Sequence, residues 1–138
     1  MKDKNVKVIF DTNVWISFLI GKRLAGIRRY IADGSITIIT TEQLTTEIKT
    51  VTGRPKLKKY FPAESVEELL KLLDIIAEKI DIKPAHFISR DPKDNFLLDL
   101  ADASKAGYLV TGDKDLLEHN PFKGTKIVTP AAFEKQLE

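Results

Sequence analysis

The sequence predicts an α/β fold, a sandwich of helices on a mostly parallel sheet. Two observations carry that expectation. Apolar runs of strand length alternate with longer segments whose apolar residues recur at helical spacing. No two-residue hairpin turn joins one strand-like run to the next, and strands separated by helices pair in parallel because each crossover needs a helix.

Residues 6–10, Val-Lys-Val-Ile-Phe, read as a buried strand. Residues 15–19 and 24–32 read as helix, ended by Asp33-Gly34, and residues 36–40 as a second strand. Thr40 or Thr41 can cap the next helix, where Leu44, Ile48 and Val51 recur at helical spacing until Gly53-Arg54-Pro55 breaks it. Residues 64–80 form a long amphipathic helix, with Val66, Leu69, Leu70, Leu73, Ile76, Ala77 and Ile80 on one stripe. Phe87-Ile88 is a candidate short strand. Asp91-Pro92-Lys93-Asp94 is a helix start: Asp91 as N-cap, Pro92 where its missing N–H costs nothing, Asp94 at the third helical position. That helix is expected to reach Ala106 and stop at Gly107. Residues 108–111 make a third clear strand, 114–118 a short helix, 126–128 a fourth strand and 131–137 a closing helix.

The bulk properties narrow the chemistry. A chain of 138 residues suits one domain with its own core. It has no cysteine, which excludes disulfides and thiolate metal sites, and two histidines cannot build a conventional structural zinc site. No apolar stretch approaches the roughly 20 residues of a membrane helix, and the polar opening Met1-Lys2-Asp3-Lys4-Asn5 is not a signal peptide. The expectation is a soluble, cytoplasmic protein. Net charge is +2, but residues 1–69 hold 12 Lys/Arg against 8 Asp/Glu, and residues 70–138 hold 10 against 12. Two basic clusters, Lys22-Arg23 with Arg28-Arg29 and Arg54-Lys56-Lys58-Lys59, dominate the positive half. Such clusters also describe solvated helix faces. Beside an acidic pocket they would suit a polyanion.

Four acids are candidates for that pocket. Asp11 ends the first strand and Asp113 closely follows the third, so both lie at the carboxyl edge where parallel sheets gather ligands. Glu47 lies one to two turns into the helix after the second strand. Asp94 opens the helix before the third strand, beside Leu97, Leu98 and Ala101, whereas Asp99 and Asp102 fall on the opposite face, expected to be solvated. Singly, each has a simpler role: an Asx-turn, a helix cap, an exposed glutamate. Together, two carboxylates about 4 Å apart repel by about 4 kcal/mol near a protein surface, so a cluster takes up protons or binds cations. Hard oxygen donors without thiolates point to Mg2+ or Mn2+.

Asp11-Thr12-Asn13-Val14, Glu47 in its Thr-Glu-Ile helix, Asp91-Pro92-Lys93-Asp94 and Thr111-Gly112-Asp113-Lys114-Asp115 resemble the PIN-domain ribonucleases. The similarity runs to the terminal Thr129-Pro130-Ala131-Ala132-Phe133 and is to prokaryotic members assigned as toxins of toxin–antitoxin pairs, related to the VapC-like toxins. The resemblance implies a three-layer α/β/α sandwich, with residues 1–138 as a single PIN-like domain. It implies a catalytic, metal-binding set of Asp11, Glu47, Asp94 and Asp113, with Asp115 as a more variable metal ligand. Thr12, Asn13 and Thr111 would orient the carboxylates or a water. One or two ions would activate a water and stabilise charge on the phosphate as RNA is cut. Lys22, Arg23, Arg54, Lys56 and Lys58 would contact RNA. The resemblance also implies a small antitoxin protein as partner, and homodimers or dimers of dimers.

Other classes meet specific obstacles. A phosphatase of the haloacid dehalogenase type needs a second acid where this chain has Asn13, and a response-regulator receiver needs paired acids at the first strand. The remaining alternative is a catalytically inactive PIN-fold module that binds nucleic acid or protein. Trp15 and Phe18 read as core. His86 and His119 read as loop residues, and Tyr60 and Phe61 could stack on a base but more simply anchor the short helix carrying them.

Overall fold

A strand covered on both faces is apolar at nearly every position, and residues 8–10 of the first strand are all fully buried. The computed structural model describes residues 5–21, 24–83 and 94–137. In order these form β1 (Val6–Phe10), α1 (Thr12–Gly21), α2 (Leu24–Ala32), β2 (Ile36–Thr40), α3 (Glu42–Thr52), a 3-10 turn at Lys58–Tyr60, α4 (Ala63–Ile76), β3 (Glu78–Lys79), α5 (Asn95–Ser104), β4 (Tyr108–Val110), α6 (Lys114–Leu117), β5 (Lys126–Val128) and α7 (Pro130–Leu137). Among the described residues the sheet has five strands, ordered β3-β2-β1-β4-β5, and every pairing is parallel. No helix among them is long and apolar enough to cross a membrane.

Side chains alternate across the sheet and create two cores. Val8, Phe10, Ile36, Ile38, Tyr108 and Val110 face Trp15 and Phe18 of α1, Leu69 and Leu73 of α4 and Phe133 of α7. Edge-to-face rings join Phe10 to Trp15, Phe18 and Phe133 at centroid separations of 5.1, 5.4 and 5.6 Å. Ile9, Ile39, Leu109 and Ile127 face the opposite layer of α5 and α6. Three layers result, as expected, and Trp15 and Phe18 are core residues.

Several boundaries differ from expectation. The first helix begins at Thr12, three residues earlier than periodicity suggests, because Asp11 accepts the Val14 N–H and so starts it directly after the strand. The expected helix over 64–80 ends at Ile76. Ala77 is extended, and Glu78–Lys79 pairs with Ile39 and Thr40 as β3. The apolar stripe is divided by this change: Leu69, Leu73 and Ile76 pack in the first core, and Ile80 packs against the second. Phe87-Ile88 and Asp91-Pro92-Lys93 lie outside the described residues. Asp94 occupies the N-cap position rather than the third, and the helix closes at Lys105, which takes the left-handed conformation (φ 55°). Gly107 is therefore not the helix stop. Its N–H donates to Lys7 O at 2.8 Å, and a Cβ there would meet Val6 Cγ1 at 2.8 Å, so the glycine lets β4 start against β1.

That contact predicts a contrast between two glycines. Gly107→Ala should lower stability by about 1–3 kcal/mol through overpacking. Gly26→Ala, inside α2 with open space around its Cα, should raise it by about 0.5–1 kcal/mol. Urea unfolding of both variants checks this, and equal effects would contradict the close approach.

Candidate functional site

The centre of the sheet fixes where chemistry can gather. From β1 the chain moves outward to β2 on one side and later returns to pair β4 on the other. The carboxyl ends of β1 and β4 thus flank the crevice where the direction of winding changes. Asp11 follows β1, and its N–H donates to Val110 O at 3.1 Å, extending the ladder by one residue. Thr111 continues β4 and is fully buried.

Asp11 is 5 % exposed, and both carboxylate oxygens are engaged. Oδ1 accepts the Val14 N–H at 2.9 Å, and Oδ2 accepts the Thr111 hydroxyl. Thr111 Oγ1 in turn accepts the Asp113 N–H at 3.0 Å, and Asp113 Oδ1 accepts the Asp115 N–H at 2.8 Å. One chain of hydrogen bonds therefore runs from the start of α6 to the start of α1. Asp11 and Asp113 each cap a helix, where the amide dipoles favour negative charge.

Burial is the largest influence on Asp11 and pushes its carboxyl above the ordinary value of 3.8, against the lowering effect of the Thr111 and Val14 hydrogen bonds. The charges of Asp113 and Glu47 push it further in the same direction. Three acids from α3 and the ends of β1 and β4 thus act on one another. Among the described residues no lysine or arginine forms an ion pair with any of them.

The structure treats the other expected residues differently. Glu47 is half-buried on α3, which begins at the same sheet edge as Asp113; Thr41 stands at its N-cap without a side-chain hydrogen bond. Asp94 stands at the start of α5 with its Oδ2 buried. Asp115 is half-buried in the first turn of α6. Thr12 is buried and its hydroxyl is unpartnered among the described residues, whereas Asn13 is exposed. Arg54, Lys56 and Lys58 are exposed; Lys22, Arg23 and His86 lie outside the described residues.

Two expectations are corrected. Asp99 is buried, at 6 % exposure, not solvated. Every residue from Asn95 to Ala101 is buried, because α5 is covered on more than its sheet-facing side, which periodicity alone does not report. Tyr60 and Phe61 divide: Phe61 is core-like at 4 %, and Tyr60 stands 55 % exposed with Lys59 Nζ 5.1 Å from its ring centre.

The donor chemistry suits a hard divalent cation, since each Asp11 oxygen accepts one hydrogen bond and keeps a lone pair free. Among the described residues, however, no three acidic or histidine side chains stand close enough to hold one ion together. Glu47 and Asp113 would have to swing toward Asp11. Burial and charge supply the reason to do so: a cation relieves the repulsion that raises Asp11.

Comparison with known proteins adds an independent line. A family model described as PIN domain matches residues 7–115. The chain is 33% identical over 151 residues to the uncharacterized protein MJ1680 of Methanocaldococcus jannaschii, covering 100% of this chain and 96% of that one. Its fold is similar to the crystal structure of PAE2754 from Pyrobaculum aerophilum, with a TM-score of 0.58 at 16% identity, covering 96% and 89% of the two chains. It is also similar to VapBC2 from Rickettsia felis, solved bound to a DNA fragment from its promoter, with a TM-score of 0.56 at 15% identity over 89% and 98%.

The electrostatics give a signed expectation. Because folding raises the Asp11 carboxyl above 3.8, the unfolded chain ionises first, and the Asp11 charge opposes folding as pH climbs from there through the raised value. Below 3.8 it has no effect. In chelator, the stability of Asp11→Asn relative to the parent chain should rise across that window and stay level below it; a difference independent of pH up to neutrality would refute the shift. Thr111→Val keeps the shape but strands the Asp11 and Asp113 groups, and should cost about 1–3 kcal/mol in urea unfolding.

Proposed function

This chain belongs to the PIN-domain family, and from that premise we propose that it is a metal-dependent endoribonuclease that hydrolyses RNA phosphodiester bonds. The observation that carries the reading is the Asp11 carboxyl, buried where β1 and β4 diverge and raised further by Asp113 and Glu47, with no protein cation paired to the three among the described residues. Asp11, Glu47, Asp94 and Asp113, with Asp115, would hold Mg2+ or Mn2+. When bound, such an ion supplies an activated water and stabilises the negative charge that builds on the phosphate and the leaving oxygen.

The chain's own part is to hold and orient. Thr111 and the Val14 amide fix Asp11 from two directions, so its rotamer is set before any ligand arrives. Asp113 is held by the Asp115 amide and through its own N–H to Thr111. Glu47 sits on a separate helix, free to adjust its reach. Thr12 and Asn13 stand at the start of α1 as further polar supports. Exposed Arg54, Lys56 and Lys58 would grip phosphates flanking the scissile bond.

The VapBC2 likeness supports a toxin restrained by a small antitoxin protein; work in the cytoplasm and assembly as a homodimer or dimer of dimers belong to the same proposal. A second reading keeps support from one observation: the acids are not gathered at ligand distance among the described residues. That suits a catalytically inactive module binding nucleic acid or protein. Cleavage of single-stranded RNA in Mn2+ separates the two. The parent chain should cut, EDTA should abolish cutting, and Asp11→Asn or Asp94→Asn should slow it by about 100-fold or more, equivalent to several kcal/mol. Absence of Mn2+ binding by calorimetry, with no cleavage, would favour the module.

A further inference from the structure

Away from the acids, the far end of α3 and the start of α4 enclose a groove of about 430 Å3, within the range of small-ligand sites. Its floor is apolar, from Phe61, Ala63 and Val66, and Lys49 and Lys58 stand on its rim with a single acid, Glu67. An adjoining cleft is lined by Arg54, Pro55, Lys56 and Leu57. Lys49, Arg54, Lys56, Lys58 and Lys59 are all exposed, and none forms an ion pair among the described residues. Elsewhere Lys7, Arg28, Lys79 and Lys105 do pair with acids. Four unneutralised cations line the groove and the cleft, Lys49 and Lys58 in the first and Arg54 and Lys56 in the second. Lys59 and Tyr60 follow Lys58 in the chain, with the Tyr60 ring exposed. Together they have the charge and the stacking surface of a site for single-stranded nucleic acid.

We propose that this groove is a nucleotide subsite that seats single-stranded RNA flanking the cleavage point, with Lys49 and Lys58 on its phosphates and a base against Ala63 and Val66. The proposal rests on the ribonuclease reading and adds to it where the strand runs. Thr52 lies five residues beyond Glu47, about 8 Å along the axis of α3. The groove and Glu47 occupy opposite flanks of that helix. The exposed face of α3 between them carries the uncharged Thr46 and Thr50, and the exposed carboxylate on that face, Glu42 in the first turn, is held by Lys79 at 3.2 Å. One strand could therefore touch both places.

The test uses fluorescent single-stranded RNA and the parent chain in EDTA, so that cleavage is stopped without altering the acids. Lys49→Ala/Lys58→Ala should weaken binding about ten-fold or more and flatten the log–log salt dependence by about 1.4, two single-strand phosphate contacts. Lys126→Ala/Lys135→Ala, exposed lysines on β5 and α7, should change neither. RNA carrying 4-thiouridine should photo-crosslink to residues 49–67. Unchanged affinity and slope in the Lys49/Lys58 variant, or crosslinks only elsewhere, would overturn the subsite. Equal competition by duplex DNA would replace it with a general polyanion patch. If the parent chain fails to cut RNA in Mn2+ yet binds through the groove, the ribonuclease reading falls and the subsite stands. If it cuts RNA while binding shows no dependence on the groove, the subsite falls and the ribonuclease stands.

Discussion

The hydrogen bond from Thr111 to Asp11 ties the end of β4 to the end of β1, and the geometry of the sheet's carboxyl edge follows from it. Both residues are buried, and both lie on the face of the sheet that packs against α5 and α6. A carboxylate in that position loses much of its hydration. It is retained because two protein donors replace part of it and because the first turn of α1 presents amide groups to it. The same threonine oxygen accepts from Asp113, so the second acid is placed by the first acid's partner. One hydroxyl thus coordinates two elements far apart in sequence.

Magnitudes decide what this arrangement is for. A helix terminus contributes roughly 0.3–1 kcal/mol to a nearby charge, and up to about 2 in partly buried geometry. Two like charges about 8 Å apart repel by on the order of 2 kcal/mol at an effective dielectric of about 20, and desolvation adds to that. The dipoles therefore do not cancel the cost of holding Asp11 ionised: burial, and to a smaller extent the charges of Asp113 and Glu47, keep its carboxyl above the ordinary value. Such a set would gain from a neighbouring positive charge. A purely structural network would have recruited a lysine, as Glu42 and Asp74 share Lys79 beside the outermost strand β3.

Period and punctuation made the strands and most helices legible, since β1, β2 and β5 are short apolar runs bounded by polar residues. Asp11 was legible for the same reason: it stands at the end of an apolar run. What escaped was set by partners distant in sequence. Glu78 and Lys79 have no strand signature of their own and become β3 only because Ile39 and Thr40 are beside them. Asp99 reads as solvated until the cover over α5 is known. Gly107 reads as a helix stop, although its role lies against Val6. The order of the acids in the chain resembled a family; their separation in space is not encoded in any local pattern.

The uneven charge of the sequence acquires a spatial meaning through α3. Its first turns stand at the carboxyl edge of the sheet and carry Glu47 toward Asp11; its last residues open onto the basic turn between α3 and α4. A single rigid element therefore joins an electronegative crevice, suited to cations, to an electropositive rim, suited to phosphates. The distance between the two fields along α3 also limits their mutual cancellation, because Glu47 and the lysines of the basic turn form no ion pair with one another among the described residues. Shielding by distance is what keeps both charges available to ligands.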